Sequence, residues 1–142
     1  MSERGITWSE RFAPTLADFE ALAAEAWTRI PDSFRALCAG VQIRIEEFPT
    51  EDVLQSLGIE SPFDLMGLYQ GIDLGRKGAG ETGALPDMVF LYRRPILDVW
   101  AEGEDPLGHL VAHVLIHEIG HHFGLSDEDM QAIEDSVREG AS

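Results

Sequence analysis

From Thr15 onward the apolar side chains recur with a helical period. Leu16, Phe19, Ala23, Ala26 and Ile30 share one face, and Thr15 with Asp18 supplies a capping box. Pro31 and Asp32 open a short second helix that reaches about Cys38 and stops at Gly40. The period then changes to two. Val41, Ile43 and Ile45 alternate with Gln42, Arg44 and Glu46, which predicts a strand with one buried face, ended by Pro49. Thr50 caps a further short helix that Gly58 closes after Leu57.

Leu65 to Gly71 and Met88 to Tyr92 carry the apolar and aromatic content of two more strands, joined by a glycine-rich loop from Asp73 to Pro86. That loop includes Gly75-Arg76-Lys77-Gly78-Ala79-Gly80, but no Gly-Lys-Ser/Thr follows and no helix opens there. A flexible hairpin connection is therefore expected rather than a phosphate loop. Pro95 to about Glu102 reads as a helix. Asp105 and Pro106 then serve as N-cap and first helical residue of a long helix, whose apolar series Leu107, Leu110, Val111, Val114, Leu115, Ile119 and Phe123 runs to Gly124. A last helix starts at Ser126, with Asp127, Glu128 and Asp129 in its first turn, and runs to about Arg138. Residues 1–14 lack a period and are expected to form an extended or loosely attached arm. With no repeat and no long linker, residues 1–142 are read as one domain.

The long helix carries the chemistry. His117-Glu118-Ile119-Gly120-His121 is an HExxH motif. Residues four apart on a helix differ by about 40° in direction and about 6 Å in rise, so both imidazoles are able to lean toward one tetrahedral ion at about 2.0–2.1 Å. Glu118 projects from an adjacent face, the position of a general base that reaches a water without occupying the metal. Gly124 follows where the helix must end, and glycine readily takes the left-handed conformation that turns the chain back. The turn delivers Asp127 as a candidate third ligand, giving His117-Glu118-x-x-His121-x-x-Gly124-x-x-Asp127.

This HExxHxxGxxD pattern resembles the metzincin-type zinc signature with aspartate in place of the usual third histidine. The stretch His117 to Met130 is similar to the short bacterial zincin-like metallopeptidases, or minimal zincins. The resemblance extends less sharply upstream through Leu65 to Gly71 and Met88 to Tyr92, about two thirds of the chain, and only the zinc segment is specific. It implies an α+β fold with a small mixed β-sheet packed against the active-site helix, Zn2+ as the cofactor, and a peptide or protein substrate laid along an edge strand. The methionine turn of classical metzincins lies well downstream of their zinc motif. Met130 follows almost at once, inside an expected helix, and is read as a core residue.

The remaining histidines are weighed by their angle on the helix. His122 points about 100° away from His121, which suits packing or support of a ligand better than ligation. His113 and His109 continue the four-residue spacing, but each step drifts by about 40°, so both are read as polar-face or hydrogen-bonding neighbours rather than a second metal site. Tyr69 and Tyr92 are read as core or rim residues in preference to donors to an oxyanion. Cys38, the lone cysteine, lies in an apolar run and is read as a buried, inert thiol.

Charge narrows the partners. Acidic residues outnumber basic ones 26 to 10, a formal net charge of −16. A field of that sign repels phosphate backbones and anionic lipid, so neither nucleic acid nor a membrane is an expected partner. The N-terminus lacks the basic start and continuous apolar stretch of a secretory leader, and the expectation is a cytoplasmic protein. The reaction expected is zinc-dependent peptide hydrolysis with Glu118 as general base. The alternatives are a zinc hydrolase acting on a non-peptide substrate and a non-catalytic binding module with closed, structural zinc coordination.

Overall fold

The computed structural model describes residues 7–71 and 87–140. The glycine-rich connection expected over Asp73 to Pro86 lies outside the described residues.

Helix α1, Leu16–Arg29, starts with the expected capping box: Thr15 Oγ1 accepts from the Asp18 amide, and the Asp18 carboxylate accepts from the Thr15 amide. Two orphan amides of the first turn are thereby satisfied. Phe19, Ala23 and Ala26 are buried on its inner face. Helix α2, Asp32–Leu37, buries Phe34, and the Cys38 thiol donates to the Phe34 carbonyl. Strand β1 is Gln42–Glu46, three residues short of Pro49. Helix α3, Glu51–Leu57, is capped by Thr50 and ends at Gly58 with φ 70°. Strands β2, Gly67–Gln70, and β3, Met88–Tyr92, precede helix α4, Arg93–Glu102. Helix α5, Leu107–His122, and helix α6, Asp127–Gly140, complete the chain.

Several boundaries differ from the sequence reading: β2 is Gly67–Gln70 rather than Leu65 to Gly71, α4 starts at Arg93 rather than Pro95, and the start of α5 moves as well. Pro106, not Asp105, occupies the N-cap of α5, with φ −60° and ψ 147°, and no side chain caps that end. The Pro106 carbonyl already accepts from the His109 and Leu110 amides. Because proline has no N–H to lose, an extended Pro106 fits just outside the helix as well as in its first turn.

The sheet has the order β1-β3-β2, with β1 parallel and β2 antiparallel to β3. Registers Ile43 to Val89, Ile45 to Leu91 and Gly67 to Leu91 place one set of alternate residues on the inner face. Central strand β3 contributes the fully buried Val89 and Leu91. Against them lies α5, which also packs on α1, α4 and α6. Covered on so many sides, α5 is apolar around most of its circumference: Val111, Ala112, Val114, Leu115, Ile116, Ile119 and Gly120 are all buried. Each of the larger side chains contributes about 1.5–3 kcal/mol by leaving water, so the motif-bearing helix is firmly anchored in the core. The fold is α+β, with a three-stranded mixed sheet on the motif helix.

Ahead of α1, Trp8–Glu10 forms a single 3-10 turn, and the Arg11 guanidinium lies over the Trp8 ring. The Arg93 side chain donates to the Pro14 carbonyl and fastens the end of this segment to α4. Among the described residues no helix is long and apolar enough to cross a membrane.

Candidate metal centre

Two close approaches fix how the motif helix sits. A Cβ added to Gly67 would lie 2.7 Å from Val114 Cγ1 and 3.1 Å from both Glu118 Cγ and the Phe90 carbonyl oxygen. A bare backbone at that point of β2 is what lets α5 lie against the sheet. On the opposite side, a Cβ on Gly120 would meet Met130 Sδ and Cγ of α6. Met130 is fully buried, as a core residue should be. Each glycine removes a side chain where helix and neighbour meet, and the motif is thereby clamped between β2 and α6.

Glu118 points toward the sheet and is half-buried. Its carboxylate accepts a hydrogen bond from the Tyr69 backbone amide of β2. Burial raises its pKa above the usual carboxylate range, and His121, the Tyr69 amide and His117 oppose that rise in part. A carboxyl whose proton affinity is moved toward neutrality suits proton transfer near pH 7.

His117 and His121 have ring centroids 5.6 Å apart, with the rings nearly perpendicular. Two imidazoles on one tetrahedral zinc have centroids about 5 Å apart, so the ring separation is close to that of a shared-ion pair, while His117 Nε2 is turned toward Glu134. His121 is exposed. Asp127 is the first residue of α6, also exposed, and its carboxylate makes no hydrogen bond or ion pair among the described residues. Its helix is capped by Ser126, whose Oγ accepts from the Asp129 amide. Asp127 is therefore not needed as a cap. Gly124 has φ 75°, the left-handed turn expected between the helices.

A different set of donors is drawn together most closely. His113, His117 and Glu134 have ligand atoms all within 4.8 Å of one another, a possible site for a metal ion. His117 Nε2 lies 2.8 Å from Glu134 Oε2, and His113 Nδ1 lies 2.9 Å from Glu134 Oε1. His121 and Asp127 stand outside this group. His113 is thus a hydrogen-bonding neighbour, as its helical angle suggested, and it also belongs to a potential ligand set. Glu134 escaped the sequence reading. Its signal was faint: a charged residue on the stripe formed by Met130, Ile133 and Val137, where the period calls for an apolar side chain.

The other candidates are occupied elsewhere. The His122 ring stacks on Tyr69 at 3.8 Å, a packing role. The Tyr69 hydroxyl donates to Asp87 Oδ2 at 2.8 Å, and burial followed by that bond raises its pKa. Tyr92 is buried, which pushes its hydroxyl up to about 12. His109 lies apart, lining a cavity between α1 and α5 with Leu22, Ala26 and Arg29.

The model of the zincin-like metallopeptidase family matches residues 38–137. The chain belongs to the zincin-like metallopeptidase family. This membership implies a metal, with zinc as the expected ion, and the donors just described are of the kind zinc takes. Helices α1 and α2 lie ahead of the matched region. Among solved structures, the chain is similar to a conserved hypothetical protein from Thermus thermophilus. The two share 24% identity over 78% of this chain and 94% of that one, with a TM-score of 0.49. No curated protein matches it.

Proposed function

We propose that this zincin-like protein is a zinc-dependent peptidase, with His117, His121 and Asp127 holding the ion and Glu118 handling the proton. The observation that carries the reading is the placement of Glu118. It is half-buried against β2, next to two imidazoles whose separation fits one ion, with its pKa raised by burial. Zinc, when bound, supplies a Lewis acid that polarises the scissile carbonyl and makes water acidic enough to react at neutral pH.

The chain's own residues supply the rest. Glu118 takes a proton from the attacking water and later passes it to the departing amine, so one carboxylate serves as base and then as acid. The Tyr69 amide fixes the direction of that carboxylate. His117, His121 and Asp127, two neutral imidazoles and one carboxylate, would hold the ion with a net positive charge, which would favour the oxyanion that develops during attack. Asp127, the first residue of α6 just past the left-handed turn at Gly124, would supply the third ligand.

Glu118→Gln tests this directly. The variant keeps its zinc, measured by metal analysis, and loses at least about 100-fold in cleavage of a peptide library. Cleavage at the parental rate would remove Glu118 from the chemistry. Full zinc occupancy with no peptide cleaved by the parent would favour a structural role for the ion.

A further inference from the structure

Glu134 is a buried carboxylate, 4% exposed, at the seam between α5 and α6. Isolating a carboxylate from water costs several kcal/mol unless partners compensate. The partners present are two imidazoles, one on each oxygen, with Arg138 Nη2 at a looser 3.9 Å. An apolar side chain would close this seam at lower cost, as Met130 and Val137 do on either side. Two imidazoles and a carboxylate form the His2Glu donor set that binds zinc in hydrolases.

We propose that His113, His117 and Glu134 form a second position for a borderline divalent cation such as Zn2+ or Co2+, which shares His117 with the HExxH position. Its designation as second rests on the peptidase reading above. The ligand atoms all lie within 4.8 Å of one another, and a tetrahedral ion at about 2.0–2.1 Å needs them about 3.4 Å apart. Small side-chain rotations close that gap without moving either helix. The way in is open, because the His113 side chain is 44% exposed. His117 directs Nε2 at Glu134, so an ion taken here draws on the same imidazole that the HExxH position needs. The two positions are therefore coupled through one ligand.

Zinc titration against a chromophoric chelator separates them. In a His121→Ala, Asp127→Ala double variant the HExxH position is lost, and one zinc equivalent is still expected to bind. Adding His113→Ala should then weaken binding by at least the roughly 10–100-fold that loss of a supporting residue alone costs. All three positions are at least partly exposed, and circular dichroism checks that each variant is folded. If the double variant binds no zinc, or its zinc is indifferent to His113→Ala, the inner position is overturned. The peptidase reading fails separately: if the double variant binds with parental affinity and His113→Ala in the parent abolishes binding, the inner position stands and the ligand set His117, His121 and Asp127 falls. A parent that takes up no zinc removes both.

Discussion

Gly67 is where a single methyl group probes the close approach of β2 and α5. In Gly67→Ala the new Cβ would sit 2.7 Å from Val114 Cγ1, while carbon atoms in good contact lie about 3.5–4.0 Å apart. Relief requires strand and helix to part by about 1 Å, because the third neighbour, the Phe90 carbonyl, is backbone of the central strand. Overpacking of this kind costs about 1–3 kcal/mol, and replacing glycine in a strand returns about 0.5–1 kcal/mol, so the net loss is about 1–2 kcal/mol. For a domain of this size that is a fall of about 3–8 °C in Tm. Val114→Ala, which trims a buried side chain, costs about 2 kcal/mol alone. Combined with Gly67→Ala it leaves room for the added methyl, and the double variant should lose about 1–2 kcal/mol less than the sum. Urea unfolding followed by circular dichroism reads all four proteins. Additivity within about 0.5 kcal/mol, or a Gly67→Ala protein as stable as the parent, would refute the proposed contact.

Gly120→Ala, the counterpart facing α6, should also destabilise by about 1–2 kcal/mol. A thermal melt checks this, and an unchanged Tm would mean that Met130 has room to move aside. Thr15→Ala removes half of the α1 capping box and should cost about 1 kcal/mol in urea unfolding. Burial pushes the Cys38 thiol up to about 11 from 9.0, so the folded state favours the neutral thiol. The stability this gives is complete below pH 9 and is lost as pH rises to about 11. The amount is about 1–3 kcal/mol, and Cys38→Ala should show a correspondingly flatter decline over that window. Superimposable pH profiles for the two proteins would rule that contribution out.

Much of the fold was legible in the sequence because its cues are local. The capping box at Thr15, the left-handed turns at Gly58 and Gly124 and the alternation through Ile43 and Ile45 each involve residues within one turn or one strand. The HExxH helix was legible for the same reason: four-residue spacing fixes His117 and His121 relative to each other before any tertiary contact forms. The shift of the α5 N-cap from Asp105 to Pro106 is a one-residue matter of local competition, and proline fits either position.

Residues that meet across the core were not legible. Glu134 reaches His117 from 17 positions away and His113 from 21, and that pairing exists only because α6 folds back along α5, seated by Met130 against Gly120. The burial that raises the Glu118 pKa comes from β2 lying against the helix at Gly67, which the spacing of the motif does not encode. The sequence by itself determined the elements, the turns and the pair of imidazoles on one helix, since these depend on backbone geometry over a few residues. Only the tertiary structure decided which carboxylates stand beside those imidazoles and how much water reaches them, because helix-on-helix and helix-on-sheet packing bring together groups that the chain keeps far apart.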